Sequence, residues 1–180
     1  MSKKVAVILA RGGSKGIPNK NIIDVNGYPL IYYTIKSALE SKCSEVWVSS
    51  DSDDILEVSK NLGVNTIKRP IEISGDNSKS EDALLHFAEN VDFDILVFIQ
   101  PTSPLLKSYY INKGIDLIGE YDSVFSAYKE HWIPRWDSKI EPKNWNINKR
   151  PMRQDVEEMW VENGAFYITK KESLLSSKLD

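Results

Sequence analysis

Residues 9–21 read LARGGSKGIPNKN, placing Arg11, Lys15 and Lys20 among three glycines and a proline, straight after the apolar run VAVIL. Glycines let a backbone approach a ligand closely and turn successive N–H groups toward an anion. Cations spread along a curled loop can surround several phosphates rather than one. Two familiar phosphate loops fail here on spacing. A G-x-x-x-x-G-K-[ST] loop begun at Gly12 needs its second glycine where Ile17 stands. A G-x-G-x-x-G fingerprint ending in Gly13 and Gly16 needs its first glycine at Arg11. Three cations also exceed what a diphosphate read by a helix dipole requires, so a triphosphate fits better. The plain alternative is a glycine turn with solvated cations.

Other residues have chemistry to offer. Asp51, in the SSD that follows a second apolar run, either faces a ligand or caps the next helix. Gln100 opens QPTSP at the end of DILVFI, where a carboxamide can donate to and accept from hydroxyls. Taken alone, that stretch is a rigid turn. His86, among Leu84, Leu85 and Phe87, reads as a half-buried helix residue rather than a base. His131 begins an irregular stretch and is a weak candidate for substrate contact. Cys43 has no histidine motif around it, which argues against a nucleophile.

Short apolar runs set these residues in place. Val5–Leu9, Glu45–Ser49, Val64–Lys68, Asp94–Ile99 and Ser123–Tyr128 read as strands. Several are rich in Val and Ile with little alternation, as strands covered on both faces are. Leu30–Lys42, Ser52–Leu62, Ser80–Asn90 and Lys107–Gly119 read as the helices between them, the first after the turn Asn26-Gly27-Tyr28-Pro29. Ser52–Leu62 starts with capping Ser and Asp residues and stops before Gly63. This alternation predicts parallel β-α-β units with right-handed crossovers, an α/β fold of three layers, α/β/α, around a mostly parallel sheet. In such sheets ligands bind at the carboxyl ends of the strands, beside a reversal of strand order, and the glycine loop belongs there. From about residue 129 the pattern breaks. His131–Arg153 carries three tryptophans, three prolines and no clear period, unusual inside a compact domain. Glu162–Thr169 reads as a further strand and Lys171–Leu179 as a short helix.

The 180 residues predict a single domain with a substantial core. A net charge of −3 without a basic stripe argues against a nucleic-acid binder, so any anion site must be local. No stretch approaches the ~20 apolar residues of a membrane span, and the N-terminus does not read as a secretion signal. The single cysteine excludes an intrachain disulfide and fits a reducing cytoplasm.

LARGGSKGIPNKN resembles the signature of the CMP-sialic acid synthetases, the acylneuraminate cytidylyltransferases. SSDSDDI at 49–55, RPIEISGDNSKSED at 69–82, QPTSPL at 100–105 and RQDVEEMWVENGAFYI at 153–168 fall in that family's order. The resemblance covers nearly the whole chain. It implies a nucleotide-diphospho-sugar-transferase-like, Rossmann-like fold in one nucleotidyltransferase domain over 1–180, with a dimerisation arm at about 129–160. It implies a reaction in which the anomeric hydroxyl of a nonulosonic acid attacks the α-phosphorus of CTP, giving the CMP-sugar and pyrophosphate. Lys15, Arg11 and Lys20 are then the catalytic cations, with Lys15 foremost in stabilising the transferred phosphorus and the departing pyrophosphate. Ala10, Arg11, Gly12, Gly13, Ser14, Lys15, Lys20, Asn21, Arg69, Ser78 and Ser80 are the implied nucleotide contacts. Gln100, Arg153, Gln154 and Asn163 are the implied sugar contacts, with Arg153 suited to a bidentate grip on the sugar carboxylate. The arm crosses to a second subunit in this family, which implies a homodimer with Trp132, Trp136 and Trp145 at its interface.

The chain departs from the family in three ways. Glu157, Glu158 and Met159 stand where members often carry Leu-Pro and a further residue. Family members continue past position 180 with an I-D-I-D-like run that binds Mg²⁺, and Asp180 does not match it. Mg²⁺ is therefore expected, but its ligands are unknown: the chain is truncated, or phosphates, waters and a carboxylate such as Asp51 hold the ion. Kdo-activating relatives carry a tyrosine and paired serines in place of GGSKG, which disfavours Kdo as acceptor. A related transferase with another acceptor, such as Kdo, legionaminic or pseudaminic acid, and a non-catalytic nucleotide-binding fragment are the alternatives.

Overall fold

The computed structural model describes residues 2–176. The helix expected over Lys171–Leu179 is seen as Lys171–Ser176, and its remainder, like Asp180, lies outside the described residues. The chain divides into two compact units, Met1–Phe125 with Gly164–Asp180, and Ser126–Asn163.

In the first unit, β1 (Lys4–Leu9) is central. It pairs in parallel with β4 (Glu45–Ser50) on one side and β6 (Ile95–Ile99) on the other. β5 (Asn65–Lys68) extends the sheet beyond β4, again in parallel. The full order is β5-β4-β1-β6-β8-β7, with β7 at Ser123–Glu130 and β8 at Met159–Lys170. β8 runs antiparallel to β6, with Ile99 opposite Phe166, so the sheet is mixed. That direction is outside the β-α-β rule: β8 is reached from the irregular stretch, not over a crossover helix.

Alternate residues of β1 feed two cores, as double-sided burial requires. Ala6 and Ile8 pack with Ile31 and Ile35 of α1 (Leu30–Leu39), Ile55 of α2 (Asp53–Asn61) and Ile111 of α4 (Ser108–Leu117). Val5 and Val7 pack with Leu84 and Phe87 of α3 (Ser80–Asn90) and Leu174 of α5 (Lys171–Ser176). Helices thus cover both faces, and the three layers are as expected.

A small hairpin escapes periodicity. β2 (Asp24–Val25) and β3 (Tyr28–Pro29) are two residues each, joined at Asn26 and Gly27, both with positive φ. That is the Asn-Gly turn chemistry of a two-residue hairpin. Ser52 does stand at the start of α2, but its side chain makes no capping hydrogen bond. Instead its N–H donates to Ser50 Oγ at 3.0 Å.

The second unit has few regular elements of its own. Isolated bridges join Trp136 to Pro142 and Asn146 to Lys149. Trp136 and Trp145 meet edge to face at 5.2 Å, and the Arg150 guanidinium lies 5.3 Å from the Trp145 ring and 5.9 Å from Trp132. Trp132 and Trp145 are therefore half-buried within the arm itself, while Ile133, Ile140, Ile147, Met152, Met159 and Trp160 are exposed.

Candidate active site

The chain passes from β1 to β4 and β5, then returns to the other side of β1 at β6. The reversal leaves a crevice beyond the carboxyl ends of β1 and β6, the usual ligand position in such sheets. A cleft of about 410 Å³ opens there, wholly within the first unit. Its walls are the loop after β1, the connection between β5 and α3, the start of α3, and the residues after β6.

The loop contributes Arg11, Ser14, Lys15 and Lys20. Lys20 opens a single 3₁₀ turn, Lys20–Ile22, entered through Asn19 in the left-handed region. Asn21 closes this wall. It is 3% exposed, and its Nδ2 donates to the Arg11 carbonyl at 2.9 Å. Its Oδ1 is buried with no hydrogen-bond partner.

Arg69 forms the opposite wall just beyond β5 and is 5% exposed. Its N–H donates to the Ser50 carbonyl at 2.8 Å, and Nε donates to Ser74 Oγ at 2.9 Å. Ser74 in turn donates to the Pro70 carbonyl at 2.8 Å. Burial is the main cause lowering this guanidinium's pKa from its usual value; Arg11 pushes the same way and Asp51 opposes both. Arginine nevertheless remains protonated in proteins. Ser78 and Ser80 line the cleft at the entry to α3, where the helix N-terminus adds positive potential. Gln100 lines it from the end of β6, with its N–H donating to the Ala165 carbonyl at 3.1 Å. Gly164 abuts it: a Cβ there would lie 3.5 Å from Gln100 Nε2.

Ala10, Gly12 and Gly13 do not line the cleft. Ala10 is fully buried, with its N–H on the Ser49 carbonyl at 3.0 Å. The Gly12 N–H donates to Asp51 Oδ1 at 3.0 Å, and the Ser14 N–H to the Gly12 carbonyl at 3.0 Å. The loop therefore spends these amides on its own shape, and side-chain cations dominate the wall. Asp51 neither caps α2 nor lines the cleft; it braces the loop. Sequence reasoning missed that role, together with those of Ser74 and Asp76. Asp76 Oδ1 lies 2.7 Å from Arg11 Nη1, and Oδ2 lies 2.8 Å from Lys15 Nζ. Those contacts, with Lys15 first, hold the Asp76 carboxyl below its ordinary value.

Arg153, Gln154 and Asn163 belong to the second unit. Arg153 and Gln154 are exposed on a 3₁₀ turn, Arg153–Asp155, and Asn163 Oδ1 accepts from Ser126 Oγ at 2.6 Å. His131 is exposed in the same unit, and His86 is half-buried on α3. Cys43 is half-buried against the larger core, and burial raises its pKa, so its thiol is unsuited to nucleophilic attack. Among the described residues no group of three or more His, Cys, Asp or Glu side chains is arranged to hold a metal. Asp51 accepts from the Gly12 N–H and Asp76 pairs with Arg11 and Lys15.

N-acylneuraminate cytidylyltransferase A of Danio rerio is 42% identical over 178 residues, 93% of this chain and 41% of that protein. The N-acylneuraminate cytidylyltransferase of Streptococcus agalactiae serotype III is 33% identical over 189 aligned positions, 98% of this chain and 45% of that protein. The chain thus spans less than half the length of these relatives. Two solved structures share its fold. CMP:2-keto-3-deoxy-manno-octonic acid synthetase complexed with CTP superposes with a TM-score of 0.76 at 20% identity, over 97% of this chain and 76% of that one. The 4-diphosphocytidyl-2C-methyl-D-erythritol synthase of Anaerococcus prevotii superposes with a TM-score of 0.67 at 15% identity, over 99% and 78%. A family model described as cytidylyltransferase matches residues 5–179, nearly the whole sequence, and the chain belongs to that family.

Proposed function

We propose that this chain carries the CTP-binding and transfer site of a nucleotidyltransferase that activates a nonulosonic acid. The observation that carries the reading is the cleft at the strand reversal, lined by Arg11, Ser14, Lys15 and Lys20 on the loop and by Arg69 and Gln100. The names of the relatives, N-acylneuraminate cytidylyltransferases, support the same substrates.

In this reading the loop cations hold the triphosphate. Asn21 Oδ1 accepts from the cytosine amino group, and Arg69, fixed by Ser74, donates toward O2 and N3. Uracil has no amino group to satisfy Asn21, which favours CTP over UTP. The sugar's anomeric oxygen forms the new bond to the α-phosphorus, and the bridging oxygen leaves with pyrophosphate. The hydroxyl proton passes to water. Lys15 and Arg11 neutralise the oxyanions as charge moves toward the leaving group. Gln100 contacts the sugar hydroxyls; for Arg153, Gln154 and Asn163 a role toward the acceptor is carried by the resemblance alone. Mg²⁺ is expected from the resemblance; among the described residues no group of three or more His, Cys, Asp or Glu is arranged to hold it, and no role for it is assigned to these residues.

A homodimer joined through residues 129–160 belongs to the same reading, supported by the apolar side chains that unit exposes. So does a cytoplasmic setting, supported by the lone thiol. Among the described residues no helix is long and apolar enough to cross a membrane.

The test is pyrophosphate release with CTP, UTP, GTP and ATP against sialic, legionaminic, pseudaminic and Kdo acids. CTP with a nine-carbon acid is expected to turn over. Lys15→Ala and Arg11→Ala are each expected to weaken CTP binding by about tenfold to a hundredfold, the range for losing a charge-assisted contact. Turnover with another nucleotide, or CTP affinity unmoved in both variants, overturns the reading. CTP binding without turnover reduces it to a nucleotide-binding module.

A further inference from the structure

Arg11 and Lys15 do not face the cleft as bare cations. One carboxylate takes both: Asp76 Oδ1 pairs with Arg11 Nη1 at 2.7 Å and Oδ2 with Lys15 Nζ at 2.8 Å. Asp76 comes from the opposite wall, the connection between β5 and α3. Its two oxygens present to the loop what two oxygens of a phosphate would present. Any phosphate chain gripped by the same guanidinium and ammonium has to take the place of this carboxylate. The exchange is within reach energetically, because the pairs are solvent-accessible: side-chain exposures are 35%, 77% and 37% for Arg11, Lys15 and Asp76. Accessible pairs of this kind are weak.

We propose that Asp76 is a displaceable counter-ion of the phosphate loop, exchanged for phosphate oxygens when a polyphosphate enters. It opposes every anion that must contact Arg11 and Lys15. A phosphate group that offers two oxygens can satisfy both cations at once, as Asp76 does. The proposal rests on the CTP reading for its natural ligand, but its chemistry concerns polyphosphate alone.

The test is calorimetry on the full chain with CTP and, separately, with inorganic tripolyphosphate. Asp76→Asn is expected to bind both about threefold to tenfold more tightly, the range for removing one or two accessible pairs. Asp76→Ser serves as a second variant with the same expectation. Asp82→Asn removes a carboxylate from the first turn of α3 that belongs to neither pair, and is expected to change neither affinity. Unchanged or weaker binding of both ligands in the Asp76 variants overturns the proposal. So does equal tightening in Asp82→Asn, which would mean a general field rather than an exchanged contact. If the wild-type chain binds tripolyphosphate but not CTP, with the Asp76 effect intact, the CTP reading falls and the counter-ion stands.

Discussion

Gly12 has less room than its loop setting suggests. A Cβ there would lie 2.9 Å from Ser52 Cβ and 3.6 Å from Asp51 Oδ2. Ser52 Cβ is fixed by its backbone, so no rotamer change relieves the clash. Gly12→Ala is expected to push the loop away from Asp51, break the Gly12 N–H bond and displace Arg11 beside it. The cost should be about 1–3 kcal/mol of stability, as for overpacking elsewhere, with weaker CTP binding. Gly13, one residue on, meets nothing within 4 Å. Gly13→Ala should leave stability within about 0.5 kcal/mol. Urea denaturation and calorimetry on the pair check this, and equal losses would show that loop flexibility, not contact, decides. The cations were legible because their signal is local, three positive charges among glycines within ten positions. Asp51 was noticed, but its bond to Gly12 spans 39 positions, and no spacing rule reports a partner that distant. Asp76 is hidden for the same reason, since only folding of the β5–α3 connection against the loop brings it to Arg11 and Lys15. Ser74 bonds within its own connection, to Arg69 and Pro70, but no residue period marks that contact.

Phe87 anchors the element that brings one wall to the cleft. It is fully buried, stacks at 6.0 Å on Phe93 and meets the Trp47 edge at 5.9 Å. α3 carries it near one end and presents Lys79, Ser80 and Ala83 to the cleft at the other. Phe87→Ala should cost about 3–5 kcal/mol, the range for emptying a buried aromatic position. CTP affinity should fall with it, because the helix start loses its seat. A lower denaturation midpoint with CTP affinity intact would show that the helix start is held independently. Strands and helices of the first unit were readable because β1, β4 and β6 are buried on both faces and write continuous apolar runs. The direction of β8 was not readable. Its residues give the same apolar signal either way, and the direction depends on where the preceding 126–163 segment returns the chain. The β2–β3 hairpin was too short to show a period, although Asn26-Gly27 was visible as a turn.

At the scale of the whole molecule, the second unit, Ser126–Asn163, stands out for the apolar side chains it exposes. Trp132 and Trp145 pack within the unit around Arg150, while Trp136 is exposed. Among its large apolar side chains the most exposed is Ile140, at 79%, held at φ 64°. A β-branched residue in the left-handed region is strained by about 1–3 kcal/mol. The turn around it is well tied, with Asp137 Oδ1 accepting from the Lys139 and Glu141 N–H groups at 2.9 and 3.0 Å. Glycine would hold this turn without strain. In the homodimer proposal, the isoleucine supplies an apolar tip to the second copy at that cost. Under the homodimer reading, Ile140→Gly should separate the two effects. The denaturation midpoint at low protein concentration should hold or rise, because strain is relieved. Self-association, followed by sedimentation equilibrium, should weaken by about tenfold or more, as when a buried side chain of this size is lost from a contact. Weakened association with a fallen midpoint would mean that Ile140 only stabilises its own turn. An unchanged dimer would move the contact to Met159 and Trp160 at the start of β8, the remaining exposed apolar pair on a regular element of this unit.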